Sequence, residues 1–346
     1  MIPVFSRVEK RDEKEFVIYV PHENTSPKKS DLETLIFAVD NRDVTKINMY
    51  TFPNCEPESV QYKTEEGDFF KINSIGSHND ILYAAIHKKD KLNGNIVHRI
   101  HCWLISSGKD ITFFDQTHHE LKSLAYGEIG SEEYLFALID GKSEYAIVRY
   151  SLRSGKEDFI YKRPVGTSPL SDIAVASEEN QLRIYGTTIN GIYMWNFENP
   201  LPKQIVQGNF GRYLRHTGND LIASNLDGLI TFADLSDSLP IVLNINSTYG
   251  IIDIDSKDGE IILGTIDKDN KVNVRISSNI KSLQESEPII FQQEYKNTPR
   301  SLRIKDNYVM VIHGNNAIDA FNYRSPEESI SSMHLKNCNL FKYCIQ

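Results

Sequence analysis

A strand–turn–strand unit recurs along the chain, and this repetition constrains the fold more than any other feature. In its clearest copy the predicted strands are residues 172–176, 181–188, 192–197 and 203–207. Asn190 and Gly191 separate the second strand from the third, and both residue types tolerate the positive φ of a tight turn. Four antiparallel strands in about 40 residues are typical of one propeller blade.

Seven copies of the second and third strands follow one another at a period of roughly 40 to 50 residues, which is the range expected for blades. We therefore predict an all-β fold, in which residues 1–346 form one seven-bladed β-propeller of four-stranded antiparallel blades. The predicted blades are approximately residues 10–65, 66–118, 119–163, 164–208, 209–246, 247–295 and 296–325.

A ring of blades is usually closed by a strand from the opposite end of the chain. Residues 3–8 precede the predicted first strand of the first blade, Glu15–Val20, and we favour them as the strand that completes the last blade. Ser332–Leu335 and Leu340–Ile345 are the rival closing segments. With residues 3–8 in that role, residues 326–346 are expected to be an extra strand or a docking tail.

The unit around Trp195 resembles the second half of a WD40 repeat. Thr187-Thr188, Asn190-Gly191 and Trp195-Asn196 lie where that family has a Ser or Thr, an Asp-Gly turn and a Trp-Asp pair, and Trp103-Leu104 is placed similarly. No Trp-Asp dipeptide occurs in the chain, so the resemblance implies the fold and no particular family member. It implies a scaffold that binds protein partners within a cytoplasmic or nuclear complex.

Charge and cysteine content narrow the function classes. A net charge of -9 disfavours a broad nucleic-acid surface, which needs clustered cations. The four cysteines, Cys55, Cys102, Cys338 and Cys344, form no CxxC pair, so we expect reduced thiols and no zinc site. No signal peptide and no membrane helix are expected from the sequence.

Catalytic and cofactor motifs are missing from the sequence. It contains no Gly-x-Ser-x-Gly elbow and no phosphate-binding glycine loop. His98 and His101 are three residues apart, which places them on opposite faces of a strand. We therefore predict a protein that is not an enzyme and that carries no metal, no cofactor and no small-molecule substrate.

The alternative prediction is a propeller hydrolase, similar to lactonases, that works in the central channel. The channel would be lined by the first strand of each blade. The polar residues on those predicted strands mix both charges and lack the ring of carboxylates that a divalent ion prefers; they are Lys71, Asn73, Asp172, Arg215, His216, Asp253 and Arg303.

Under the scaffold prediction, partners bind the loops that lead into the first strands. Aromatic residues and Arg are over-represented in binding hot spots, and the candidate contacts in those loops are Phe69, His118, His119, Phe210, Arg212, Tyr249 and Arg300. Phe69 and Tyr249 are also suited to packing between blades. A weaker alternative is a reader of phosphorylated or acidic motifs that uses Arg212, Arg215 and Arg300.

Overall fold

The computed structural model describes most of the strands and many of their connections. The described residues are 8–11, 14–17, 34–40, 46–52, 57–63, 69–89, 96–116, 120–139, 144–178, 181–208, 210, 213–217, 220–224, 229–234, 241–246, 251–269, 271–291, 299–305, 307–313, 317–326, 331–335 and 338–345.

The fold is an all-β propeller arrangement of four-stranded antiparallel blades, as predicted. The described strands form seven four-stranded sheets and one two-stranded hairpin. The chain divides into two compact units. Unit one is Met1–Ile139, Val148–Phe159 and Asn337–Gln346, and unit two is Asp140–Ile147 and Ile160–Lys336.

Unit one contains two complete sheets and the hairpin, and most of a third sheet. The hairpin pairs β1 (Val8–Arg11) with β2 (Lys14–Val17). The first sheet, in spatial order, is β30 (Cys338–Ile345), β3 (Thr34–Asp40), β4 (Lys46–Phe52) and β5 (Pro57–Lys63). The second is β6 (Phe69–His78), β7 (Ile81–Lys89), β8 (Ile96–Leu104) and β9 (Asp110–Gln116).

The third sheet is crossed by the division between the units, which passes through its last two strands. Its strands are β10 (Leu121–Ile129), β11 (Glu132–Ile139), β12 (Tyr145–Ser151) and β13 (Lys156–Lys162).

Unit two contains four complete sheets. The fourth sheet is β14 (Asp172–Glu178), β15 (Gln181–Thr188), β16 (Gly191–Asn196) and β17 (Lys203–Gln207). The fifth sheet is β18 (Tyr213–Thr217), β19 (Asp220–Ser224), β20 (Leu229–Asp234) and β21 (Ile241–Asn246). The sixth is β22 (Ile252–Lys257), β23 (Glu260–Ile266), β24 (Val272–Ser277) and β25 (Ile289–Phe291), with the one-turn helix α1 (Ile280–Leu283) before its last strand. The seventh is β26 (Pro299–Lys305), β27 (Tyr308–His313), β28 (Ala317–Asn322) and β29 (Ser331–His334).

The cores lie between neighbouring sheets, because a strand in the middle of a blade has apolar residues on both faces. In unit one Phe37 and Tyr62 from the first sheet pack with Leu82 and Trp103 from the second. In unit two Phe291 from the sixth sheet contacts Phe321 from the seventh, with ring centroids 4.8 Å apart. The first strands of successive sheets also lie next to one another within each unit.

Buried tyrosines join neighbouring sheets at equivalent places in both units. In unit one the Tyr62 hydroxyl donates to the Ile105 carbonyl, at 2.7 Å, two residues after Trp103. In unit two the Tyr161 hydroxyl donates to the Phe197 carbonyl, at 2.8 Å, two residues after Trp195. Each tyrosine therefore buries its ring in the core and satisfies a carbonyl where the third strand of the next sheet ends.

The predicted turn is shifted by one residue: it lies at Ile189 and Asn190, neither of which has a positive φ, and Gly191 begins β16. Thr188 stabilises it, since its hydroxyl oxygen accepts from the backbone nitrogens of Asn190, at 2.9 Å, and Gly191, at 3.2 Å. A Cβ atom on Gly191 would lie 2.2 Å from the Val206 carbonyl oxygen, so only glycine fits beside β17. The turn sets the register that pairs Thr187 with Ile192.

The closing strand differs from the one we favoured. The seventh sheet is completed by β29, which overlaps the rival segment Ser332–Leu335, and the other rival segment, Leu340–Ile345, is part of β30 in the first sheet. The first sheet receives β30 as its first strand, where Glu15–Val20 was expected. Residues 14–17 pair instead with residues 8–11, and residues 3–7 lie outside the described part of the chain.

Because β30 pairs with β3, we predict that the fold depends on the C-terminal strand more than on the N-terminal segment. Deletion of residues 338–346 would remove the neighbour of Ile36 and Phe37 and expose the edge of β3. We expect the melting temperature to fall by about 10 °C or more, because several kcal/mol of pairing and packing would be lost. Differential scanning calorimetry measures the change.

Deletion of residues 1–17 is the matched control, since the described part of that segment pairs only within itself. It should change the melting temperature by no more than a few degrees. A larger loss from the N-terminal deletion than from the C-terminal one would contradict the strand order.

Candidate functional site

Four charged side chains form a chain of alternating sign along the first strands of unit two. Asp172 lies on β14, Arg215 on β18, Asp253 on β22 and Arg303 on β26, and we name these four residues the charge chain. An Arg215 terminal nitrogen lies 3.1 Å from an Asp172 carboxylate oxygen, and its Nε lies 3.4 Å from Asp253. An Arg303 terminal nitrogen lies 3.6 Å from the same Asp253 oxygen.

The two carboxylates of the charge chain also bind the backbone of the next sheet. Asp172 Oδ2 accepts from the Leu214 backbone nitrogen at 3.3 Å, and Asp253 Oδ2 accepts from the Ile304 backbone nitrogen at 2.7 Å. Asp253 is only 6% exposed, so its charge depends on these partners to offset the loss of hydration. The charge chain therefore connects four successive sheets by side chains as well as by apolar packing.

Unit one has a related contact between its second and third sheets. Asn73 on β6 donates from Nδ2 to the Leu121 carbonyl, at 2.8 Å, and to Glu120, at 3.2 Å. The same Nδ2 lies 2.6 Å from the Nε2 atom of the buried His87. A polar side chain on a first strand thus reaches the next sheet in both units.

A second titratable cluster lies where β6 ends. The His78 ring stacks on the Tyr126 ring, with centroids 3.7 Å apart, and its Nε2 lies 3.8 Å from Glu128. The Tyr126 hydroxyl lies 2.8 Å from Glu133 and 3.0 Å from Glu128. Burial and the two carboxylates raise the pKa of Tyr126, which keeps its hydroxyl protonated as a donor.

Burial lowers the pKa of His78, and this effect outweighs the attraction of Glu128 and Glu133 for the imidazolium. The ring is therefore mainly neutral at neutral pH. No sequence motif indicated this cluster, because His78 and Tyr126 belong to different predicted blades. Only an alignment of the predicted blades with one another would have indicated that His78 and Tyr126 lie close together.

Of the predicted channel residues, the structure brings together Asp172, Arg215, Asp253 and Arg303. Asn73 lies in the contact of unit one. The side chains of Lys71 and His216 lie outside the described part of the structure. Within the described residues no three His, Cys, Asp or Glu side chains are placed to hold a metal ion.

The predicted pair of histidines has two separate environments. The His98 ring packs edge-on against His87, with centroids 4.4 Å apart. The His101 ring instead stacks on Trp103 and lies 3.0 Å from Asp110. The two side chains therefore make different contacts, as expected for opposite faces of β8. Cys102 between them is a buried free thiol.

Two predicted contacts are corrected by their surroundings. Phe210 is 4% exposed and packs with Ile192, Val206 and Leu214, so its ring is part of the core and is not available to a partner. Arg215 belongs to the charge chain, so it is not placed to read a phosphorylated motif. Both positions carry residue types common in hot spots, and only the packing distinguishes their role.

The structure describes only some of the other predicted contacts. Arg300 is exposed at the start of β26, as a contact residue should be. Phe69 begins β6, but its side chain lies outside the described part, and His118, His119, Arg212 and Tyr249 are outside it altogether. Their roles therefore stay predictions.

Two exposed apolar residues in turns of the fourth sheet were not predicted as contacts. Val165 precedes β14 and is 100% exposed, and Ile189 lies between β15 and β16 and is 52% exposed. Val165 lies in a loop of the kind considered for binding, whereas Ile189 lies in the turn between a second and a third strand, which was not considered. Neither is an aromatic residue or Arg, the residue types that were predicted as contacts.

Comparison with known proteins supports the fold alone. No family model matches the chain, and no curated protein matches it. Among solved structures it is similar to the computationally designed protein Ika8, with a TM-score of 0.56 and 12% identity over 85% of this chain and 82% of that one. No described helix is long and apolar enough to cross a membrane.

Two natural structures have the same level of similarity. BamB from Moraxella catarrhalis gives a TM-score of 0.53 and 12% identity, covering 87% of this chain and 83% of that one. A putative 6-phosphogluconolactonase from Bacteroides fragilis gives 0.60 and 11%, covering 93% of this chain and 100% of that one. At these identities the likeness establishes a propeller and carries no activity with it.

The charge chain predicts a large effect of neutralising Asp253. Asp253→Asn keeps an oxygen for the Ile304 backbone nitrogen but leaves Arg215 and Arg303 with less compensating charge. We expect the free energy of unfolding to fall by about 2–4 kcal/mol, as for a broken buried ion pair. Urea unfolding followed by fluorescence measures it.

The exposed Asp258 supplies the control, because its φ of 54° suits Asn and its side chain is outside the charge chain. Asp258→Asn should be nearly neutral. Asp253→Asn should also cost less when Arg303 is already Gln, since one cation then needs no partner. Equal effects of the two Asp→Asn substitutions would contradict the assigned role.

The His78 cluster predicts a loss of stability on acidification. The unfolded chain, with His near its ordinary pKa of 6.5, takes up a proton at higher pH than the folded protein does. The stability contributed by neutral His78 is therefore complete above that value and is lost as the pH falls through the lowered value. His78→Phe, which keeps a stacked ring, should reduce this loss.

Unfolding free energies of both proteins between pH 8 and about pH 5 give the test, and all other titrating groups are shared. The difference between wild type and His78→Phe should therefore change with pH in this window. A constant difference would show that His78 does not titrate differently on folding.

Proposed function

We propose that the chain is a non-catalytic scaffold, a single seven-bladed propeller of WD40-like type within a cytoplasmic or nuclear protein complex. The proposal is supported by the described four-stranded sheets, each of which has the strand order of a propeller blade. Partner proteins would bind the loops at the end of each blade where its first strand begins. This assignment excludes a cofactor and a small-molecule substrate.

The charge chain is the observation that supports a scaffold over a channel enzyme. A hydrolase would direct charged groups of its first strands at the substrate. Here Asp172, Arg215, Asp253 and Arg303 contact one another, and the two carboxylates also accept from the backbone of the next sheet. These groups are thereby used to join blades.

The second candidate is a propeller hydrolase acting on a small molecule. Its support is the description of the Bacteroides fragilis neighbour as a putative 6-phosphogluconolactonase. A lactonase-like activity would release acid from a sugar lactone, and pH-stat titration of purified protein measures this. Under the scaffold proposal the rate equals that of the uncatalysed reaction, whereas a higher rate that Arg215→Gln removes would favour the hydrolase.

Site-specific cross-linking tests the scaffold proposal. A photoactivatable residue is introduced at Arg300, which is exposed at the proposed binding end, and separately at Asp258, which is exposed at the other end. In native cells we expect a stoichiometric protein adduct from position 300 and little from position 258. Native purification that returns only monomer, or adducts confined to position 258, would contradict the proposal.

A further inference from the structure

Asn190 is followed by Gly191, and an asparagine before a glycine is especially prone to lose ammonia from its side chain. In this reaction the backbone nitrogen of the glycine attacks Cγ of the asparagine, because a residue without Cβ hinders the approach least. The new N–Cγ bond closes a succinimide ring, and the side-chain nitrogen leaves as ammonia with the proton that the glycine nitrogen loses. Water then opens the ring and leaves either aspartate or isoaspartate.

The Asn190 side chain is accessible to this reaction. Asn190 is exposed in the turn between β15 and β16, so water and base reach it. Its side-chain oxygen lies 3.4 Å from the Ser168 backbone nitrogen, which is at the limit of a hydrogen bond. The side chain is therefore weakly held, and the backbone around it determines whether the ring closes.

The backbone nitrogen that would attack is held by Thr188. The Gly191 nitrogen donates to the Thr188 hydroxyl oxygen at 3.2 Å, and the Asn190 nitrogen donates to the same oxygen at 2.9 Å. The Thr188 hydroxyl also donates to the Gly191 carbonyl at 3.3 Å. Because Thr188 is completely buried, these bonds must break, without replacement by water, before Gly191 attacks.

The neighbouring strand β17 restricts movement of the same peptide bond. A Cβ atom on Gly191 would lie 2.2 Å from the Val206 carbonyl oxygen and 2.6 Å from the Gln204 side-chain nitrogen, so the Gly191 backbone is packed closely against β17. The Asn190 carbonyl accepts from Gln204 Nε2 at 3.1 Å and from the Gly208 backbone nitrogen at 3.2 Å. Closure of the ring needs this peptide bond to rotate, and Thr188 and β17 oppose that rotation together.

We propose that Asn190 is a deamidation site that the folded fourth sheet protects, and that Thr188 is the main protecting residue. Local opening of the turn makes the site reactive. Isoaspartate adds one atom to the backbone of a short turn, so the pairing of Thr187 with Ile192 would be lost. A chain that opens here for long enough therefore acquires a permanent chemical change. The inference does not depend on the proposed scaffold function.

Peptide mapping by mass spectrometry tests the inference. Full-length protein is incubated at mildly alkaline pH, either folded or in urea, and aspartate and isoaspartate at position 190 are followed with time. Asn93, which lies outside the described part of the chain, is the other asparagine that precedes a glycine, so it is the internal reference in urea. We expect similar rates at both positions in urea, and a rate at Asn190 in the folded protein at least about tenfold lower.

Two valine variants separate the role of Thr188 from a general loss of stability. Thr188→Val removes the hydroxyl, and Thr187→Val is the matched control, because the buried Thr187 hydroxyl has no hydrogen-bond partner among the described residues. We expect Thr188→Val to raise the rate at Asn190 in the folded protein about tenfold, since loss of these hydrogen bonds makes local opening easier. Thr187→Val and Thr188→Ser should react as slowly as wild type.

Equal rates at Asn190 in the folded protein and in urea would overturn the proposal, and so would equal rates in the two valine variants. If Thr188→Val does not fold, hydrogen exchange of the Gly191 amide in wild type replaces it. That amide should be protected, and low concentrations of urea should speed its exchange and the deamidation of Asn190 in proportion. Exchange at the rate of an unprotected amide would refute the role of Thr188.

Discussion

In the described part of the chain, the middle strands of the four-stranded sheets have buried apolar residues on both faces, and neither face can remain in water. Trp103, Trp195, Tyr62 and Tyr161 are fully buried only because a neighbouring sheet covers them. The free energy of folding therefore depends on contacts between blades, since an isolated blade would leave its middle strands half exposed. The hydrogen bonds from the tyrosine hydroxyls to carbonyls, and the charge chain, lie at these same contacts between sheets. These polar interactions are directional, whereas apolar packing is not.

Strand content and blade architecture could be predicted because they depend on local patterns. The predicted strands 172–176, 181–188, 192–197 and 203–207 correspond to β14, β15, β16 and β17, and the turn before β16 was predicted to within one residue. The closing strand could not be predicted in this way. Residues 3–8, 332–335 and 340–345 all have the composition of strands, and composition does not determine which distant edge a strand pairs with.

The residues of the candidate site could be predicted from the sequence, but the contacts between them could not. The sequence showed that Asp172, Arg215, Asp253 and Arg303 lie on first strands, but not that the Arg residues bridge successive Asp residues. It favoured Phe210 as a contact because aromatic residues are frequent in hot spots, whereas the ring fills space beside Val206 and Leu214. Exposure is a property of the packed fold, and for Val165 and Ile189 it carries more information than residue type.

The distribution of tryptophan has a practical consequence. The chain contains two Trp residues, both fully buried, with Trp103 in unit one and Trp195 in unit two. Trp195 donates from its indole nitrogen to the Lys162 carbonyl at 2.9 Å, while Trp103 stacks on His101. Each unit thus contains its own optical reporter, with a different quenching environment, and the emission of either one follows the melting of its own half of the chain.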